Sequence, residues 1–161
     1  MYPLLKELGF QVTSADCSVF MVDTARQQIQ TNHRELFSEK DRFCVADILK
    51  TDFHDKEFDA VVCNRLFHHF SDASTRQKAL AELKRICSGP IVVSFFSILS
   101  TDTIKFYFKK YIRREVIKDR IPISPWRFLK DVHAAGLKVK SWSMARPFIS
   151  KQWYFVLESQ Q

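Results

Sequence analysis

Asp16, Asp47, the Asn64-Arg65 pair and the His68-His69 pair are the residues of this chain best suited to chemistry. Each follows a short run with strand character. In open α/β sheets, ligands bind outside the carboxyl ends of the strands. An aspartate there can accept hydrogen bonds from both hydroxyls of a ribose, and the negative charge strengthens them. Asp16 stands in such a place. Its other role would be to start the next helix, but Ser18 is the better cap and leaves Asp16 for the ribose. Asp47 can accept the exocyclic amine of an adenine, with the Ile48 backbone on a ring nitrogen, or it simply starts a loop. Met21 and Ile48 are either apolar walls for that ring or parts of the core. His68 or His69 can act as general base if the reacting group is a hydroxyl. Arg65 can hold a carboxylate or phosphate, or make a surface ion pair.

These residues need elements to position them. Pro3 to Leu8 reads as a helix end, with Gly9 as a left-handed cap and Phe10 folding back. Strands are expected near 11–15, 43–46, 59–63, 91–96, 137–144 and 153–157. The run Phe58 to Asn64 is continuously apolar at its centre, as in a parallel strand covered on both faces. A helix from Ser18 to about Asn32 would turn Phe20, Met21, Ala25 and Ile29 inward. Another follows Ser71 or Asp72, with Ala79, Leu80, Leu83, Ile86 and Cys87 on one face and Gly89-Pro90 as its stop. Thr101 to Arg120 reads as a basic helix. Ser124-Pro125 opens a last helix, Trp126 to Ala135, which ends at Gly136. Strands alternating with helices imply an α/β fold.

Composition narrows the setting. At 161 residues and 46% apolar content, the chain fits one globular domain. No apolar run approaches the ~20 residues that span a bilayer. Met1 to Glu7 lacks the basic-then-apolar order of a signal peptide, so a cytoplasmic location is expected. Cys17, Cys44, Cys63 and Cys87 form no C-x-x-C pair, so they read as structural thiols and no metal is expected. The net charge of +7 is uneven. Lys105, Lys109, Lys110, Arg113, Arg114, Lys118, Arg120, Arg127 and Lys130 cluster, offset there by Glu115, Asp119 and Asp131. Such a cluster suits an anionic substrate or a membrane surface, or is a solvated helix face; nucleic acid is not expected.

Several segments together resemble a family. Leu8 to Ser18, with Met21 and Ala25-Arg26, is similar to the second strand and helix of class I S-adenosylmethionine-dependent methyltransferases. Phe43-Cys44-Val45-Ala46-Asp47 is similar to their third strand. Glu57 to Val62 with Leu66-Phe67-His68-His69 is similar to their fourth strand and the loop after it. Ala81 to Ile86, Ile91 to Phe95, and Ala135 to Val139 continue the match, which leaves out about residues 98–122. The resemblance implies a Rossmann-like sheet with helices on both faces and a closing antiparallel strand, all six strands sharing that sheet. It implies S-adenosylmethionine as cofactor, held by Asp16, Cys17, Met21, Asp47, Ile48, Asn64 and Phe67. It implies a small-molecule or lipid-type acceptor near Arg65, Phe96, Tyr107 and Tyr111, with His68 or His69 as base. The sulfonium is already activated, so the protein mainly aligns the reacting groups. Residues 98–122 would be a helical lid over the acceptor within a single, partial domain.

One part of the family pattern is missing. The chain has Gly9, Gly89 and Gly136 and no G-x-G, so the first strand and its glycine-rich loop have no counterpart. That strand would lie between those ending at Asp16 and Asn64, and without it two edges lack partners. Either the protein extends upstream of Met1, or the chain repacks or forms a homodimer. Two rival readings follow. A nicotinamide-dependent oxidoreductase also places an acid after its second strand; the closing strand pair and the residues around His68-His69 argue against it. A non-catalytic binding or membrane-surface module would keep the fold without the loop.

Overall fold

The computed structural model describes residues 1–101, 103, 111, 121–146 and 149–160. They form two compact units, Met1–Asp52 and Phe53–Gln161. The basic stretch expected as a helix falls mostly outside these residues, as does Tyr107.

In the first unit, helix α1 (Tyr2–Glu7) precedes strand β1 (Thr13–Asp16), helix α2 (Val19–Asn32) and strand β2 (Arg42–Val45). Gly9 closes α1 as expected. Its φ is +83°, its N–H donates to the Lys6 carbonyl at 2.9 Å, and the Phe10 N–H reaches back to Leu5 at 3.0 Å. Ser18 caps α2, its Oγ accepting from the Met21 N–H at 3.4 Å. The helix's inner face differs from expectation. Val22 and Ile29 are buried with Ala25 half-buried between them, while Phe20 and Met21 are 75% and 50% exposed. The buried stripe therefore follows i, i+3, i+7 from Val22, and Phe20 and Met21 fall outside it.

β1 and β2 pair in parallel, Asp16 opposite Val45. The apolar cluster is small: Tyr2, Val12 and Ile29, with Leu5, Phe37 and Phe43 against it. A polar hub supplements it. The buried Asp41 carboxylate accepts from the Tyr2 hydroxyl (2.6 Å), the Val12 N–H (2.9 Å), the Ser38 N–H (3.2 Å) and Lys6 Nζ (2.9 Å). Burial works to raise the Asp41 pKa, but the bonds from Tyr2, Val12, Lys6 and Ser38 outweigh it and hold the carboxyl below its usual range.

The second unit contains β3 (Val61–Cys63), a 3-10 turn (Phe67–His69), α3 (Ala73–Ile86), β4 (Ile91–Phe96), α4 (Pro125–Ala134), β5 (Leu137–Met144) and β6 (Gln152–Ser159). Its sheet runs β3-β4-β6-β5, with β3 and β4 parallel and β6 antiparallel to both β4 and β5. The closing antiparallel strand is as expected. The single sheet is not: the strands ending at Asp16 and Asn64 belong to different sheets. Among the described residues, no strand pairs with both β1 and β3.

The core of this unit is aromatic. Phe128 meets Phe95 at 4.3 Å, Phe67 at 5.2 Å and Phe155 at 5.8 Å between ring centroids. Ala79, Leu80, Leu83, Ile86 and Cys87 are all buried, as the helical spacing predicts. Arg76 is buried too, which the spacing did not suggest. Its Nε donates to Asp131 at 2.7 Å, and Gln77 Nε2 donates to the other Asp131 oxygen at 3.0 Å. Asp131, expected as a surface counter-charge, is thus an internal partner that ties α4 to α3. Burial pushes the Cys63 thiol up to about 12, in keeping with a structural thiol.

Candidate active site

The candidate residues are distributed between the two units. In the first, Asp16 and Asp47 stand at the carboxyl ends of neighbouring parallel strands, and both are exposed. Asp16 Oδ1 accepts from the Ser18 N–H at 2.9 Å, and Asp47 Oδ1 accepts from the Leu49 N–H at 2.9 Å. Each acid therefore shapes its own turn. A carboxylate has about four lone-pair sites, so a single local bond leaves capacity for a ligand. Exposed apolar side chains follow both acids: Val19, Phe20 and Met21 after Asp16, and Leu49 after Asp47. Cys17 is exposed and Ile48 half-buried. Two acids among exposed apolar groups match the demands of an adenosine, with hydroxyls and amine for the carboxylates and a flat ring for the apolar side chains.

In the second unit, Asn64 and Arg65 follow β3 and meet the end of β4. Asn64 Oδ1 accepts from Ser94 Oγ at 2.8 Å and from Gln152 Nε2 at 2.9 Å. Ser94 Oγ in turn accepts from the Arg65 N–H at 2.7 Å, and Gln152 Nε2 donates to the Tyr154 hydroxyl at 2.8 Å. Arg65 has φ +59°, a left-handed backbone that non-glycine residues seldom adopt. His69 is exposed. His68 is 1% exposed and stacks on Phe96 at 4.0 Å and 9°. Its ring also meets that of His69 at 4.1 Å. Lys151 Nζ lies 4.5 Å from the Phe96 centroid, so Phe96, itself 5% exposed, is covered by these two. Phe67 is fully buried against Phe70 and Phe128; it belongs to the core and offers no surface to a cofactor. Tyr111 is exposed.

The loop carrying the histidines is held from two sides. Arg76 Nη1 donates to the Phe70 and Ser71 carbonyls at 3.0 Å each, and the Ile121 N–H donates to the His68 carbonyl at 2.8 Å. Sequence reasoning missed Arg76, Ser94, Gln152 and Tyr154. Ser94 left a signal, as the single polar residue in the apolar run of β4. Gln152 left less, since only the register of β6 on β4 brings it to Asn64.

The glycines carry structural duties. A Cβ on Gly89 would clash with the Asp59 carbonyl oxygen, and Gly136 (φ +69°) follows the end of α4. Among the described residues, the adenosine part of a cofactor has fitting partners and its amino-acid end has no glycine cradle. The described residues also contain no group of metal ligands, and no described helix is long and apolar enough to cross a membrane.

Comparison with known proteins gives the fold and the family. The profile of the methyltransferase domain family matches residues 1–89. A S-adenosylmethionine-dependent methyltransferase from Methanosarcina mazei superposes with a TM-score of 0.77 at 14% identity, covering 99% of this chain and 86% of that one. Magnesium protoporphyrin IX methyltransferase from Synechocystis, solved with bound S-adenosylhomocysteine, gives 0.75 at 15% identity, covering 98% and 68%. A Haloferax volcanii protein solved with a methyltransferase activator gives 0.68 at 15%, covering 99% and 77%. At such identities these likenesses speak for the fold. No curated protein sequence matches the chain. The profile covers more than half of the residues, across both acids and the histidine pair, and the chain therefore belongs to the methyltransferase domain family, whose class I members use S-adenosylmethionine.

Proposed function

We propose that the chain binds S-adenosylmethionine with its ribose at Asp16 and its adenine beside Asp47 and Ile48, and methylates a small-molecule or lipid-type acceptor near Arg65. The observation that carries this reading is the pair of exposed acids at the ends of adjacent parallel strands. The cofactor supplies an activated methyl group. The protein's part is to bind, to orient and, for a hydroxyl acceptor, to take a proton. His69 is the better placed for that last duty because it is exposed, while His68 is packed under Phe96 and steadies it by ring contact.

Acceptor choice is assigned to residues 98–122. Both ends of this segment are rooted beside the histidine loop. The Ile98 N–H donates to the Ile123 carbonyl at 3.2 Å, and the Ile123 N–H donates to the Phe96 carbonyl at 2.6 Å.

Titration calorimetry with S-adenosylmethionine tests the reading. Binding should be weak, because no G-x-G is present to hold the amino-acid end. Asp16→Ala should weaken it further, by about 1.5–3 kcal/mol per charge-assisted bond lost. An affinity unchanged by Asp16→Ala would remove the ribose assignment. A chain that binds the cofactor but transfers no labelled methyl to any carboxylate or hydroxyl acceptor would fit the rival reading, a binding module that kept the fold.

A further inference from the structure

Among the described residues, two other than glycine hold a left-handed backbone, Lys56 (φ +56°) and Arg65 (φ +59°). Such conformations persist where something offsets their cost. For Lys56 the offset is visible. Its Nζ donates to the Lys84 and Cys87 carbonyls at 2.9 Å each, closing the C-terminal end of α3. Arg65 has no such use. It is exposed, and among the described residues its guanidinium makes no hydrogen bond or ion pair; only its backbone N–H is engaged, by Ser94 Oγ. A glycine would hold the same turn without strain.

The neighbouring hydrogen bonds run in one direction. Ser94 gives its proton to Asn64 Oδ1, and Gln152 Nε2 gives its two to Asn64 Oδ1 and Tyr154 Oη. This fixes Asn64 with its oxygen inward and leaves its amide N–H groups and the Tyr154 proton as donors without a protein acceptor among the described residues. Arg65 directly follows Asn64, so the same turn carries a guanidinium and neutral donors. One full charge in a planar fork, flanked by neutral N–H and O–H groups, matches a singly charged planar anion better than a doubly charged phosphate.

We infer that Arg65, with Asn64 and Tyr154, forms a subsite for a carboxylate of the acceptor, and that this use is why an arginine occupies a glycine-like backbone. The inference rests on the methyltransferase reading and names the acceptor's chemical class.

The test is a nuclear magnetic resonance titration of the full, nitrogen-15-labelled chain with benzoate, phenyl phosphate and benzamide. Benzoate should shift the Arg65 backbone amide and the Asn64 side-chain amide saturably, and benzamide should not. Arg65→Gly should abolish the shifts while the melting temperature holds or rises. Tyr154→Phe should weaken benzoate about tenfold, one charge-assisted bond's worth. Lys56→Gly is the contrast and should lower the melting temperature. The inference is overturned if benzoate and benzamide behave alike, if neither shifts these amides at tens of millimolar, or if phenyl phosphate binds more tightly than benzoate. It is also overturned if Arg65→Gly destabilises the chain as Lys56→Gly does. Cofactor binding at Asp16 is read separately by calorimetry. Loss of benzoate binding with cofactor binding intact removes this subsite alone, and the reverse removes only the cofactor reading.

Discussion

The two units are held together by different means. Phe53–Gln161 is organised around Phe128 and three further buried phenylalanines, with an internal ion pair joining α3 and α4. Met1–Asp52 has a core of a few side chains, tied by the four donors around Asp41, and leaves Val19, Phe20, Met21 and Val45 at least half exposed. Dispersion and apolar burial dominate the larger unit, where many well-packed atoms act together. Directional bonds carry more of the smaller one, where the apolar core is only a few side chains. The proposed reading gives cofactor recognition mostly to the lightly packed unit and acceptor recognition to the densely packed one.

The largest expected effects fall in the second unit. Phe128→Ala removes a ring that three others touch and should cost about 3–5 kcal/mol in denaturant unfolding. Asp131→Ala leaves the buried Arg76 charge without its carboxylate and should cost a similar ~3–5 kcal/mol. If either change costs less than Asp41→Asn, the contrast between the units is wrong. In the first unit, Asp41→Asn removes a charge from four donors and should cost roughly 1–3 kcal/mol. Hydrogen exchange sharpens the point: in this variant the β1 and β2 amides should exchange faster while those of β4 and β6 keep their protection.

The smallest effect is in acid. The folded-state pKa of Asp41 lies below its unfolded value, which is near 3.8. Its contribution is therefore complete above about pH 4 and is lost as pH falls through the folded value. The stability gap between the native chain and Asp41→Asn should be constant at neutral pH and narrow below about pH 4. A gap that widened in acid would contradict the assignment.

The elements were largely readable because their signals are local. The cap at Gly9, the Ser18 cap, the buried face of α3 and the stop at Gly136 each depend on a few neighbouring residues. Helix phase was less secure. Phe20 and Met21 are apolar and close to Asp16, yet the stripe that packs begins at Val22. The site was half legible. Acids and histidines announce themselves by type and by position at strand ends. Gln152 and Tyr154 are brought to Asn64 by the register of β6 on β4, a long-range pairing with no trace in the local sequence. Arg76 and Asp131 look like surface residues, and only the packing of α3 against α4 makes them partners.

The hydrogen bonds that join Ile98 to Ile123 and Ile123 to Phe96 make the intervening stretch, as far as the sheet is concerned, a closed loop. The free energy of closing such a loop changes slowly with its length, by only about 0.6 kcal/mol per doubling. A change in the length of this segment therefore costs β4 and the aromatic core behind it little, provided the Ile121 bond to the His68 carbonyl and the buried Ser100 and Thr103 are kept. That makes the position a natural cassette: under the proposed assignment of acceptor choice to this segment, an evolving lineage, or an engineer, could trade one stretch for another without refolding what lies beneath.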